Sequence, residues 1–214
     1  MSWNFPSRFY FITHRPSSEN GILKDVMEAL EAGVRIVQYR EKELPLRRQI
    51  EEAREVLKLC RKFGATFIVN DRVDLALAVG ADGVHLGPED MPPELARRIL
   101  GEGKLVGVSA GSVQDALRAK EAGADYIGVG PIFRTSTKPD AGPPIGPEGL
   151  REVRSAVDLP IVAVGGITLE SVGEVTKAGA DAVCAISAVS GKDVGEKVRA
   201  FLEVMGDDAA GKCA

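Results

Sequence analysis

Short apolar runs alternate along the chain with longer segments in which apolar residues recur every three or four positions. The short runs suit strands of a buried parallel sheet, and they occupy residues 9–13, 36–40, 66–70, 83–86, 105–109, 126–129, 161–164 and 182–186. The amphipathic segments suit helices, and they occupy residues 22–32, 46–63, 73–79, 93–100, 113–121, 148–156, 169–178 and 194–205. Eight strands in strict alternation with eight helices predict an α/β fold, a single (β/α)8 TIM barrel.

A four-residue phrase recurs where a helical segment gives way to a strand. It occurs as Ala32-Gly-Val-Arg35, Val79-Gly-Ala-Asp82, Ala122-Gly-Ala-Asp125 and Ala178-Gly-Ala-Asp181. Glycine accepts the left-handed conformation that ends many helices, so each phrase marks a helix-to-strand joint. Its recurrence at roughly 45 to 55 residues indicates a repeat of two β/α units.

Composition narrows the class of protein without changing the predicted fold. The 214 residues suit one barrel domain, 1–214, whose polar end at 206–214 is expected to fray. A net charge of −4 without a basic stripe argues against a nucleic-acid partner. No apolar run reaches the length of about 18 residues that a membrane span needs. Whether the chain forms a homo-oligomer is left open.

The first residues and the cysteines indicate the compartment. The start of the chain lacks the basic and apolar regions of a signal peptide. Cys60, Cys184 and Cys213 fit neither a zinc spacing nor a disulfide framework, and the first two are expected to be packed thiols. We therefore predict a cytoplasmic protein.

Candidate chemistry is expected at the carboxyl ends of the strands, where barrels of this kind place their active sites. After strand 2, alternation turns Gln38, Arg40 and Lys42 to the same side. One amide and two cations at the barrel mouth suit a clamp for a multiply charged anion such as diphosphate. The alternative is a solvated run of charges that merely ends the strand.

Carboxylates follow the next two strands. Asp71 and Asp90 come from neighbouring strand ends and could share one Mg²⁺, an ion that prefers oxygen ligands and substrate phosphates. The alternative for Asn70 and Asp71 is helix capping. We expect His85, inside strand 4, to be a packed residue or to support the site from behind.

The remaining strand ends suggest a second anion site. Ser109 could donate a hydrogen bond to substrate, but no histidine partner for it is apparent, which argues against a Ser-His-Asp hydrolase. A long irregular stretch, 131–146, follows strand 6, and its early part carries hydroxyls and a lysine in Thr135-Ser-Thr-Lys138. Gly165 and Gly166 end strand 7, where backbone N–H groups often bind phosphate, although a tight turn explains Gly165 equally well.

Taken together, these segments resemble the thiamine-phosphate synthase family over almost the whole chain. The matching motifs are Gln38-Tyr-Arg-Glu-Lys42, Val69-Asn-Asp71, His85-Leu-Gly-Pro-Glu-Asp90, Gly107-Val-Ser109, Gly128-Val-Gly-Pro-Ile-Phe-Arg-Thr-Ser-Thr-Lys138, Gly165-Gly-Ile167 and Ile186-Ser187. The resemblance implies a transferase that couples hydroxymethylpyrimidine diphosphate with hydroxyethylthiazole phosphate, or its carboxylated form, in a dissociative displacement that releases diphosphate.

The resemblance also implies roles for individual residues. The pyrimidine diphosphate would be held by Gln38, Tyr39, Arg40, Glu41, Lys42, Asn70, Ser109 and Lys138, of which Arg40, Lys42, Ser109 and Lys138 would be catalytic. The thiazole phosphate would be held by Thr135, Ser136, Thr137, Gly166, Ile186 and Ser187. Asp71 and Asp90 would bind Mg²⁺.

Two positions depart from the family, and two other functions are considered. Pro88 stands where the family commonly has glutamine, and Gly111 stands where members often have histidine. A thiazole tautomerase of the same barrel type uses a histidine shortly after the strand 5 serine, so Gly111 and the intact Thr135–Lys138 loop favour the synthase. A non-catalytic sensor of phosphorylated ligands would not need the carboxylate pair Asp71 and Asp90.

Overall fold

The computed structural model describes residues 5–138 and 141–206, in which eight parallel strands form one sheet whose order follows the chain. The strands are β1 (Phe11–Ile12), β2 (Ile36–Tyr39), β3 (Thr66–Asn70), β4 (Gly83–Leu86), β5 (Leu105–Ala110), β6 (Tyr126–Val129), β7 (Ile161–Val164) and β8 (Ala182–Cys184). A parallel bridge between Phe9 and Val183 joins the last strand to the first. The sheet therefore closes, and the prediction of a TIM barrel is confirmed.

Helices follow the strands around the outside of the barrel. They are α1 (Ile22–Glu31), α2 (Leu46–Lys62), α3 (Val73–Val79), α4 (Pro93–Leu100), α5 (Val113–Glu121), α6 (Gly146–Ala156), α7 (Val172–Lys177), α8 (Ile186–Val189) and α9 (Val194–Val204). No helix within the described ranges combines the length and the apolar character needed to cross a bilayer. Of the predicted tail 206–214, residues 207–214 lie outside the described ranges.

The prediction of strand 8 as far as residue 186 is wrong. The strand ends at Cys184, and the short helix α8 begins at Ile186. Helical hydrogen bonds from the N–H groups of Val189 and Ser190 to the carbonyls of Ala185 and Ile186 explain this change. A short apolar run does not distinguish a strand from a helix by its pattern alone.

Side chains of each strand alternate between the inside of the barrel and the layer beneath the helices. In β2, Ile36 belongs to the apolar cluster inside the barrel, whereas Val37 and Tyr39 belong to the large core between the strands and the helices. The side chain of Gln38 therefore turns inward, and Arg40 continues the same side beyond the strand. This alternation brings polar residues to the mouth of the barrel.

The recurring aspartates connect neighbouring strands by hydrogen bonds at the opposite, amino-terminal end of the barrel. The Asp125 carboxylate accepts hydrogen bonds from the Val106 N–H at 2.7 Å and from Arg97 at 2.5 Å, and the Asp125 N–H donates to the Val106 carbonyl at 2.8 Å. The same arrangement joins Asp82 to Phe67 and Arg61, and Asp181 to Ile161 and Arg154. These contacts pair β3 with β4, β5 with β6 and β7 with β8, which explains why the phrase recurs once in every two units.

Candidate active site

A cavity of about 490 Å³ opens at the carboxyl ends of the strands and receives residues from every strand or from the loop after it. Most of the predicted site residues line this cavity. They are Gln38, Arg40, Lys42, Asn70, Asp71, Asp90, Ser109, Thr135, Thr137, Lys138, Gly166, Ile186 and Ser187. Residues that are as much as 149 positions apart in the chain, from Gln38 to Ser187, thus share one site.

Three residues expected to contact substrate are not among those that line the cavity. The Tyr39 hydroxyl lies on the helix side of β2 and donates to Glu52 Oε2 at 2.8 Å. Glu41 turns to the same side, and Ser136 is exposed to solvent between two lining threonines. Alternation along β2 and just beyond it turns Tyr39 and Glu41 away from the side of Gln38 and Arg40. Direct contact of Tyr39, Glu41 and Ser136 with substrate stays a prediction.

Glu41 instead orders the loop that carries the two cations. Its side chain is only 2% exposed, and its carboxylate accepts hydrogen bonds from Arg15 Nε at 2.5 Å and from the N–H groups of Glu43 at 2.7 Å and Leu44 at 3.2 Å. Burial opposes ionisation, yet these donors hold the pKa of Glu41 below its ordinary value. The charged carboxylate therefore fixes the turn from Glu41 to Leu44, which carries Lys42.

Two carboxylates meet at the ends of β3 and β4. Asp90 interacts with Asp71, and Lys42 Nζ pairs with Asp71 Oδ2. Asp90 Oδ2 also accepts the Gly87 N–H at 2.7 Å. Burial, and then the proximity of Asp71, raise the pKa of Asp90, as expected where two carboxylates share one site.

This donor set fits a divalent cation that prefers oxygen. The described ranges hold no group of three or more His, Cys, Asp or Glu side chains suited to enclose a metal. Two carboxylates suffice for Mg²⁺, which usually keeps waters and takes its other ligands from substrate phosphates. Asp71 and Asp90 would hold such an ion beside the cations of the β2 loop.

The structure also decides the helix-capping alternative for Asn70 and Asp71. Arg72 directly precedes α3, and no side chain caps that helix, so the capping interpretation of Asn70 and Asp71 is wrong. Ser112 does cap α5, because its Oγ accepts the Asp115 N–H at 3.1 Å. Asp71 has a left-handed backbone, with φ of 61°, and its N–H donates to the His85 carbonyl at 2.8 Å.

A chain of polar side chains crosses the floor of the cavity. Ser109 Oγ lies 3.1 Å from His85 Nε2, and His85 Nδ1 lies 3.2 Å from the Tyr126 hydroxyl. That hydroxyl lies 2.8 Å from the Tyr10 hydroxyl, to which Gln38 Nε2 donates at 2.9 Å. The expectation that Ser109 lacks a histidine partner is therefore wrong.

This histidine does not turn Ser109 into the nucleophile of a catalytic triad. Burial lowers the pKa of His85 to about 4, although the nearby Asp71 charge opposes the change, so the imidazole is neutral near pH 7. Its Nδ1 contacts a phenol instead of the carboxylate that orients a triad histidine. The prediction that the chain is not a Ser-His-Asp hydrolase agrees with this geometry.

Tyr10 and Tyr126 are cavity residues that the sequence interpretation missed. Both lie fully buried inside the barrel, and glycines on neighbouring strands make room for the hydrogen-bonded side chains. A Cβ on Gly107 would meet Tyr126 Cε1 at 2.5 Å, and a Cβ on Gly128 would meet His85 Cε1 at 3.0 Å. Glycine inside an apolar strand often marks a close approach, so these glycines were the available signal.

The loop after β6 packs on the end of β7. The N–H groups of Ile132 and Phe133 donate to the carbonyls of Val164 and Gly165, each at 2.9 Å. Gly165 and Gly166 both have positive φ, 96° and 64°, and a Cβ on either would collide with this loop. The turn itself therefore requires both glycines, which corrects the view that it explains only one of them.

Comparison with known proteins identifies one family that matches most of the chain. Residues 9–189 match the model of a family described as thiamine monophosphate synthase. Over 198 residues the chain is 49% identical to a thiamine-phosphate synthase of Methanosarcina barkeri, with 92% of this chain and 90% of the relative covered. It is also 49% identical over 207 residues to a thiamine-phosphate synthase of Chloroflexus aurantiacus, with 94% and 95% covered.

The fold agrees with that of a solved relative. A structure described as thiamine phosphate pyrophosphorylase from Pyrococcus furiosus superposes with a TM-score of 0.88 at 40% sequence identity. The match covers 95% of this chain and 97% of the other. The similarity therefore extends over nearly the whole chain.

Proposed function

The chain belongs to the thiamine monophosphate synthase family, and on that premise we propose how its cavity works as a transferase of thiamine biosynthesis. The reaction joins hydroxymethylpyrimidine diphosphate to hydroxyethylthiazole phosphate, giving thiamine phosphate and diphosphate. The observation that carries the proposal is that one cavity holds both a cation clamp beside two carboxylates and a second group of hydroxyls and glycines from the loops after β6, β7 and β8.

The clamp side takes the pyrimidine diphosphate. Arg40, Lys42 and Lys138 offer positive charge, and Asn70 offers an amide, to the diphosphate. The bond between the pyrimidine methylene carbon and the diphosphate oxygen breaks, and its electron pair leaves with diphosphate. Mg²⁺ bound by Asp71 and Asp90 would supply further neutralisation of this charge. Stabilising the charge that grows on the leaving group is the main work of these side chains.

The opposite side takes the thiazole phosphate. The Thr135 and Thr137 side chains, Gly166, Ile186 and Ser187 lie around the loops after β6, β7 and β8, the region in which this fold frequently binds phosphate. The thiazole nitrogen gives its electron pair to the pyrimidine methylene carbon and closes the new bond. No proton moves in this step, so the neutral His85 is no obstacle to it.

Two buried thiols support a cytoplasmic location. Cys60 and Cys184 are unpaired, and burial raises the pKa of each to about 12, so both remain protonated. Buried free thiols are usual in a reducing compartment.

Release of diphosphate tests the proposal directly. Purified protein with both substrates and Mg²⁺ is expected to form thiamine phosphate and diphosphate in equal amounts, and EDTA is expected to stop the reaction. Absence of diphosphate would refute the synthase function. Isomerisation of the thiazole without any pyrimidine would instead identify a tautomerase, and binding without turnover a sensor. Carbon dioxide release from the carboxylated thiazole phosphate decides whether that form is a substrate.

A further inference from the structure

The floor of the cavity contains three polar side chains that the proposed reaction leaves without a role. Tyr10, Tyr126 and His85 connect Gln38 on β2 with Ser109 on β5 through four consecutive hydrogen bonds. Gln38 and Ser109, the two ends of this series of hydrogen bonds, both line the cavity. The interior of a TIM barrel is usually filled with branched apolar residues, so a continuous polar chain across it calls for a physical explanation.

The chemistry of these groups couples the direction of one hydrogen bond to the next. A phenol carries one proton, and a neutral imidazole carries one N–H. In the structure, Gln38 Nε2 donates to the Tyr10 hydroxyl. When Tyr10 in turn donates to Tyr126, and Tyr126 to His85 Nδ1, the imidazole proton lies on Nε2 and is donated to Ser109.

We propose that Tyr10, Tyr126 and His85 are positioning residues that transmit one hydrogen-bond direction from Gln38 to Ser109. This direction leaves Gln38 Oε1 as an acceptor for the cavity and the Ser109 hydroxyl proton as a donor. An aminopyrimidine has the complementary pattern, because its amino group donates and its ring nitrogens accept. The identification of the ligand as an aminopyrimidine rests on the proposed function, whereas the direction of the hydrogen bonds from Gln38 to Ser109 does not.

Two glycines beside the hydrogen-bonded side chains support their positioning role. Gly107 leaves room for the Tyr126 ring, and Gly128 leaves room for the His85 ring, which a Cβ would approach to 3.0 Å at Cε1 and 3.2 Å at Nε2. Glycine inside a strand weakens the strand, so both positions are unfavourable for the sheet alone. They are explained by the space that the polar chain needs.

The tautomer of His85 is the direct test. The chain has only two histidines, so a long-range ¹H–¹⁵N NMR spectrum of protein labelled at histidine is simple, and His14→Gln identifies the other signal. The proposal expects the proton of His85 on Nε2 in the ligand-free wild type at neutral pH. A proton on Nδ1 would reverse the direction and overturn the proposal.

Removal of single hydroxyls tests the transmission. Tyr126→Phe removes the donor to Nδ1, so the ring-nitrogen signals of His85 are expected to shift toward a mixture of tautomers, and Tyr10→Phe is expected to act in the same direction. Tyr39→Phe is the matched control, because this buried tyrosine bonds Glu52 on the helix side of the barrel. Unchanged His85 signals in Tyr126→Phe would contradict the proposal.

Kinetics separate positioning from general packing. Loss of one hydrogen bond is expected to raise KM for the pyrimidine diphosphate in Tyr126→Phe by about three- to tenfold, with KM for the thiazole phosphate within about twofold of wild type. Equal rises in both KM values would indicate a packing defect and refute the proposal. A wild type that shows the Nε2 proton but releases no diphosphate would refute only the proposed reaction and would leave the chain of positioning residues supported.

Discussion

Single positions on a strand decide whether a polar side chain reaches the cavity or supports it from outside. Arg40 and Glu41 are neighbours in sequence, yet Arg40 lines the cavity, whereas Glu41 is buried against Arg15 outside the cavity lining. The difference is one step of backbone alternation. Charged residues around a site therefore divide into those that can contact substrate and those that order the loops.

Glu41→Gln is expected to lower the free energy of unfolding by about 1 to 3 kcal/mol at pH 7, because a charged acceptor of three hydrogen bonds becomes neutral. The pKa of Glu41 lies below its ordinary 4.5 in the folded protein, so its stabilisation is complete above that pH and is lost as pH falls through the folded value. Urea unfolding of both proteins should therefore show a gap that narrows below pH 4.5. A gap that does not change with pH would contradict the role of the charge.

The carboxylate pair is tested by substitutions that keep the backbone. Asparagine tolerates the left-handed conformation at position 71, so Asp71→Asn removes charge without straining the turn. We expect Asp71→Asn and Asp90→Asn each to lower kcat/KM on the order of a hundredfold, with the far-UV spectrum unchanged.

Asp74→Asn provides the control for these two variants. Asp74 belongs to α3, is exposed and pairs with Arg72 outside the cavity. Its substitution should leave diphosphate release near the wild-type rate. Equal losses of kcat/KM in all three variants would show that the reaction depends on the net negative charge near the barrel mouth and not on the carboxylate pair of Asp71 and Asp90.

At the scale of secondary-structure elements, the recurring aspartates are expected to act on stability alone. Asp125→Asn weakens the pairing of β5 with β6 and should lower Tm by several degrees, because each lost kcal/mol corresponds to about 2 to 4 °C in a domain of this size. KM for both substrates should not change, since Asp125 lies at the opposite end of the barrel from the cavity. Asp158→Asn, at an exposed ion pair with Lys120, should leave Tm unchanged.

The strand and helix pattern was predictable because apolar periodicity reports which face of each element is buried. It failed at Ile186, where a short apolar run fits a strand or a helix and local hydrogen bonds decide. The clamp and the carboxylates were predictable because they follow strand ends. The polar floor was not, because it depends on contact between Tyr10 and Tyr126, which are 116 residues apart.

For the whole molecule, ligand binding at the mouth should stabilise the barrel, because the clamp takes residues from the ends of several units. Inorganic diphosphate with Mg²⁺ at about a hundred times its Kd should add about 2.7 kcal/mol to the free energy of unfolding. Thermal melts should show a matching rise in Tm, which Asp90→Asn is expected to reduce strongly. The same rise with Mg²⁺ alone would contradict a joint site.

The aspartate fastenings give the base of the barrel a fourfold pseudo-symmetry. Three quarter-turns carry the same aspartate, and the fourth, formed by β1 and β2, has Arg35 in its place. The mouth has no such symmetry, since the two carboxylates come from the β3–β4 quarter, whereas the cations and hydroxyls come from the other three. The scaffold therefore repeats one kind of joint at the base of the barrel, whereas the chemistry of the mouth lies in loops that are separate from those joints.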